Sequence, residues 1–263
     1  MTPFVSRIVI SVVLLPIVLG AVWLGHWWMF ALVAMAAALA LHEYWLMARP
    51  LSPLAPAGYI GAALALVGAE MSGVTWMLAG VLSTFALAFM LKAISEARAA
   101  ATAAISATVT GTLWIGGGLG FLIVLRDLPD HGRLALVTLL VAIWAGDTFA
   151  YFGGRLLGRH KMAPATSPGK TWEGFIVGAA ATIFITFVAL YSQDFLTITQ
   201  SIVLGAVVAV TAPIGDLFES LLKRDMDVKD TGTLLGGHGG MLDRIDALLF
   251  AAPAAYFTIL AFL

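Results

Sequence analysis

The chain has 263 residues, of which 61% are hydrophobic and 11% charged, with 14 Lys+Arg against 15 Asp+Glu and no cysteine. So few charged side chains cannot cover a water-soluble globule of this size, and so much apolar content excludes intrinsic disorder, which leaves a polytopic membrane protein. The near-zero net charge offers no field to recruit nucleic acid, and the lack of cysteine excludes disulfides, thiolate metal sites and Cys nucleophiles.

A helix crossing the hydrocarbon needs about 20 largely apolar residues. In chain order such segments run over 8–25, 27–48, 56–69, 73–91, 104–125, 134–153, 174–192, 197–217 and 245–262. They predict an all-α fold of about nine transmembrane helices. Barrel strands would alternate polar and apolar at every second position, and these runs do not. With the N-terminus in the cytoplasm, 12 of the 14 basic residues fall inside and only Arg126 and Arg133 outside, as the positive-inside rule expects. The first apolar run exceeds a usual signal-peptide core and lacks a clear A-x-A site after it, so it reads as an uncleaved anchor. The absence of a visible internal repeat weakens an inverted-repeat transporter architecture. Pairs such as Gly116 and Gly120, or Gly174 and Gly178, suit close helix packing. The chain reads as one membrane domain (1–263), with 1–133 serving packing and 134–263 carrying the chemistry.

The first half is nearly featureless. His42 and Glu43 end the second segment; an ionisable pair there is a site candidate by default, but their position reads first as the cytoplasmic surface. A polar island begins at Asp147 and Tyr151, one helical turn apart, and continues into Ser167-Pro168-Gly169-Lys170-Thr171-Trp172-Glu173-Gly174. Gly169-Lys170-Thr171 is not a Walker A loop, since Pro164 stands where that motif needs glycine and no strand precedes it. The run reads instead as an anion-binding helix start, with Ser167 as N-cap, Pro168 at the first helical position and Lys170 in the first turn.

Seven of the 15 acidic residues lie between Asp216 and Asp246. Asp216, Glu219, Ser220 and Lys223 have the spacing of one helix face, and Asp243 and Asp246 share a face at the start of the last segment. Carboxylates converging from two helices beside lipid form an oxygen-rich site suited to Mg²⁺, with Asp216, Asp243 and Asp246 as candidate ligands. Lys223, Arg224, Lys229 and Arg244 suit phosphate oxygens, and the glycines around His238, including Gly239 and Gly240, let backbone N–H groups approach an anion. The combination describes a site for a polyphosphate with Mg²⁺.

Ser220-Leu221-Leu222-Lys223-Arg224, then Lys229-Asp230-Thr231-Gly232, then His238-Gly239-Gly240-Met241-Leu242-Asp243-Arg244-Ile245-Asp246 resembles the signature of the phosphatidate cytidylyltransferases over 27 residues. The segments at Ser167–Gly174 and Asp147–Phe152 resemble two more of that family's segments, while Gly236 stands where its members often have proline. The resemblance implies an enzyme of phospholipid biosynthesis in the cell's inner membrane, a homodimer, converting CTP and phosphatidate to CDP-diacylglycerol and pyrophosphate with Mg²⁺, alone or with a second cation. It implies Asp216, Lys223, Asp243 and Asp246 as catalytic, and Ser167, Lys170, Thr171, Ser220, Arg224, Lys229, Asp230, His238, Gly239, Gly240 and Arg244 as substrate-binding. The competing readings are a cytidylyltransferase or kinase acting on another lipid, and, from a different class, a transporter. A transporter would place ionisable groups near the midplane of several spans.

Overall fold

The computed structural model describes residues 3–95, 100–232 and 239–263, with side chains from residue 12 onward. Each apolar segment is occupied by helix. Helices α1 (Pro3–Leu24) and α2 (His26–Met47) are followed by α3 (Ala55–Ser72) and α4 (Val74–Ala93). Helix α5 (Ala101–Gly111) runs through a π-helical turn (Thr112–Gly117) into α6 (Gly118–Arg126), and α7 (Gly132–Leu157) comes next. A hairpin of β1 (Lys161–Ala163) and β2 (Ser167–Thr171) then leads into α8 (Trp172–Leu190), α9 (Ile198–Asp225) and α10 (Leu242–Leu260).

Among the described residues six passages are long and apolar enough to cross a membrane: α2, α4, the continuous α5–α6, α7, α8 and α9. The fold is therefore an all-α multi-pass membrane bundle, with one small hairpin added. The continuous α5–α6 passage is its central pillar, 83% buried over its most apolar stretch against 28% for α4 and α8. Its Leu119, Ile123 and Leu125, with Leu136 of α7 and Leu242 of α10, are all close to fully buried. Large apolar side chains such as Leu82 and Phe85 face outward, as lipid solvation permits.

Local chemistry explains the helix ends. Thr197 and Gln200 form a reciprocal capping box at the start of α9, each side chain accepting from the other's backbone N–H. At the opposite face from the polar segments, Arg126 Nε donates to Val22 O at 2.6 Å, placing a cation on the C-terminal carbonyls of α1. Gly174 and Gly178 do serve packing: a Cβ on either would lie 2.7 Å from Ala150 of α7, so α7 and α8 can meet only backbone to backbone.

The helix start expected at Ser167 is corrected. Ser167 pairs with Ala163, and Thr171 with Lys161, in an antiparallel hairpin, so Pro168 and Lys170 lie on a strand. The N-cap is Thr171, whose hydroxyl accepts from Gly174 N at 3.1 Å, four residues later than expected. Backbone pairing outside the helix, closed by Trp172 N donating to His160 O at 3.0 Å, competes successfully for these residues. Glu173 secures the hairpin base, accepting from the backbone N–H of Arg159 and His160 and lying 2.6 Å from His160 Nδ1.

Candidate active site

The polar residues collect where α2, α7 and α9 end and α8 and α10 begin. Helix α9 carries three of them on one face, Asp216 and then Glu219 with Lys223, and so joins two neighbouring clusters.

The first cluster borders a cavity of about 610 Å³ between α7, α8, α9 and the hairpin, lined among others by Asp147, Tyr151, Ser167, Lys170 and Asp216. Strand β2 aims Lys170 across it, and Nζ lies 2.8 Å from Asp216 Oδ2. Ser220 Oγ donates to Asp216 Oδ1 at 3.3 Å, one turn along the same helix. The carboxylate of Asp216 stays 43% exposed toward the cavity and is open to a ligand.

The second cluster is buried. Glu219 is 1% exposed, and its Oε2 takes a bond of 2.7 Å from Lys223 Nζ. The same ammonium lies 2.7 Å from Asp243 Oδ1. The other oxygen of Asp243 accepts from Gly240 N at 2.7 Å, Thr231 Oγ1 at 3.0 Å and Thr231 N at 3.3 Å. The expected shared face of Asp216, Glu219, Ser220 and Lys223 is thus present, and Lys223 welds it to α10. Buried Asp246 stands between the clusters, within electrostatic range of Asp147, Asp216, Glu219 and Lys223.

The carboxylates of Asp147, Asp216 and Asp246 repel one another electrostatically, with Lys170 and Lys223 as the nearby cations, a charge pattern that a hard divalent ion would neutralise. Among the described residues no three acidic or histidine side chains stand close enough together to hold a metal ion by themselves. The set fits an ion that keeps water and shares oxygens with a bound phosphate, as Mg²⁺ commonly does. Donors engage both oxygens of Asp216 and of Asp243, but the Asp243 side chain is 12% exposed against 43% for Asp216, so Asp243 is the more enclosed of the two.

The remaining sequence-predicted residues are dispersed. Arg224 is exposed and its Nε donates to Thr166 O at 3.3 Å, pinning the hairpin turn to α9. Thr171 is buried as the α8 cap. Lys229 and Asp230 are exposed on the segment after α9, and Gly239 and Gly240 lead into α10. Arg244 lines a second, apolar cavity of about 480 Å³ bordered by α1, α2, α7 and α10. His238 lies outside the described residues.

Glu43 is the residue that sequence reasoning placed wrongly. It does end α2, but it is 4% exposed rather than at a surface. Its oxygens accept from Met241 N and Leu242 N, both at 2.9 Å, and from Thr231 Oγ1 at 3.3 Å. The only signal for this was the ionisable character of a residue beside a long apolar run.

Fold and site together define a helical multi-pass membrane protein with an acid-rich polar centre at one end of its bundle. The chain belongs to the cytidylyltransferase family, whose sequence profile matches residues 5–262. It is similar to the phosphatidate cytidylyltransferase of Haemophilus influenzae, 42% identical over 130 residues, which cover 48% of this chain and 45% of that one. It is also similar to those of Bacillus subtilis (39% over 151 residues, 57% and 56%) and Helicobacter pylori strain J99 (43% over 138 residues, 51% and 50%). The aligned chain spans about half the length of these curated relatives.

Proposed function

We propose that the chain transfers CMP from CTP to phosphatidate, forming CDP-diacylglycerol and pyrophosphate. The observation that carries this reading is the acid-rich centre with Lys170 and Lys223 beside a polar cavity, at one end of a lipid-exposed bundle. Membership of the cytidylyltransferase family and the names of the similar proteins support it.

In the reaction, an oxygen of the lipid phosphate attacks the α-phosphorus of CTP and forms the new P–O bond. The bond from the α-phosphorus to the bridging oxygen of the β-phosphate breaks, and pyrophosphate leaves with that electron pair. A phosphate monoester is already ionised near neutral pH, so no side chain need remove its proton. Lys170 and Lys223 oppose the charge of the phosphates, and Ser167 and Ser220 offer hydroxyl donors. Asp216 and Asp246 would hold Mg²⁺ once Asp216 releases Lys170 to a phosphate, with Asp243 joining only if it releases Lys223. The ion supplies charge neutralisation for the triphosphate when bound. Arg244, beside the apolar cavity, suits the headgroup of a lipid whose chains lie there.

The finer layout follows the same reading: nine spans, the N-terminus and the polar centre on the cytoplasmic side, residence in the inner membrane, and a homodimer. Residues 134–263 then carry the catalytic groups. Purified protein in detergent with phosphatidate, Mg²⁺ and CTP labelled in its α-phosphate tests the reaction. Label moves into the organic phase with wild type and requires both lipid and Mg²⁺. Transfer only of the γ-phosphate from a nucleotide to a lipid alcohol would replace the reading with a lipid kinase.

A further inference from the structure

We infer that Glu43 is a positioning residue of the α9–α10 centre, supplied by the N-terminal half of the chain; its catalytic consequence rests on the proposed cytidylyl transfer. An α-helix begins with backbone N–H groups that lack intrahelical acceptors. The N-cap residue of α10, Met241, has no side-chain capping bond of its own. Glu43 does so from α2, one carboxylate oxygen on Met241 N and the other on Leu242 N, nearly 200 residues away in sequence. A buried anion at a helix N-terminus is stabilised by both the hydrogen bonds and the helix dipole.

The same carboxylate sets the turn that leads into α10. Thr231 Oγ1 lies within bonding distance of Glu43 Oε2 and of Asp243 Oδ2, so one hydroxyl links the two acids. Gly240 and Gly232 both press on Glu43: a Cβ on Gly232 would sit 2.8 Å from its Oε1, and one on Gly240 would collide with Oε2. A side chain at either position would displace the Glu43 carboxylate from where it stands. Glu43 therefore fixes the axial position of α10, and with it Asp243 and Asp246, against Lys223 on α9.

The test compares Glu43→Gln and Glu43→Ala with Tyr44→Phe, which removes the neighbouring bond from Tyr44 Oη to Ala107 O as a structural control. Glu43→Gln keeps one good acceptor but turns an amide N–H₂ toward a backbone donor. Measured well below each variant's melting temperature, kcat falls about tenfold or more in both Glu43 variants, as expected for loss of a charge-assisted bond, and stays near wild type in Tyr44→Phe. Wild-type kcat in folded Glu43→Gln and Glu43→Ala, or failure of both to fold, would make Glu43 a stability element and overturn the inference. Hydrogen exchange over residues 239–246 needs no substrate and separates this question from the reaction. It accelerates there in Glu43→Gln while α7 is unchanged; unchanged exchange overturns the inference even if CMP transfer is confirmed. A wild type that transfers no CMP but shows the exchange effect overturns the reaction alone.

Discussion

Lys223 on α9 and Asp243 on α10 meet at 2.7 Å, and the same ammonium holds buried Glu219 at 2.7 Å. One cation thus serves two acids in a largely buried setting. Breaking such an arrangement from one side leaves a charge without a partner. Lys223→Met is expected to cost about 3–5 kcal/mol of stability. Adding Glu219→Gln to it should restore a large part of that loss, a coupling that thermal or denaturant unfolding in detergent will reveal.

Asp243→Asn keeps the shape and loses the charge. It weakens the Lys223 bond and the acceptor shared by Gly240 N and Thr231. CMP transfer is expected to fall about 100-fold or more, comparable to removal of a preorganised electrostatic group. A folded, monodisperse variant with near-normal transfer would remove Asp243 from the working centre.

The Lys170–Asp216 pair should behave in the opposite manner. Asp216 is 43% exposed while the Lys170 ammonium is itself buried, so solvent screens the pair only in part and Lys170→Ala should cost less than the roughly 3–5 kcal/mol of a fully buried pair. Its activity should nevertheless drop about 100-fold, because the ammonium faces the polar cavity rather than the core. Melting temperature and kcat/KM measured on the same preparation check the contrast.

Metal dependence probes the acids that repel one another. Chelation with EDTA should abolish transfer and Mg²⁺ should restore it. Asp216→Asn should raise the Mg²⁺ concentration needed for half-maximal rate by about tenfold, the scale of one lost ligand contact. An unaltered Mg²⁺ requirement would exclude Asp216 as a ligand.

The start of α8 can be tested by stability alone. Thr171→Ala removes the N-cap and is expected to cost about 0.5–2 kcal/mol, whereas Ser167→Ala on the strand should cost well under that. The reverse ranking would return the helix start to Ser167.

The membrane class was written in the composition: too few charges to face water and nearly continuous apolar runs leave a chain only lipid as solvent. The helices fell where those runs lie for the same reason, since an isolated span must satisfy its backbone within itself. The positions of Asp216, Glu219, Ser220 and Lys223 on one face were also legible, because helical spacing is a local rule. The helix start at Thr171 was not, since both Ser167 and Thr171 are acceptable caps and the choice depended on a pairing with Lys161–Ala163. Nor could spacing separate Arg244, turned toward an apolar cavity, from Lys223, turned into the acid cluster. Glu43 shows the limit most plainly. Its type and place announced an ionisable group near a membrane face, but its partners are backbone N–H groups of α10, which carry no side-chain signature in a sequence. Only the packing of α2 against α10 brings a charge from the first half to the uncapped end of the second, where hydrogen bonding and the helix dipole retain it.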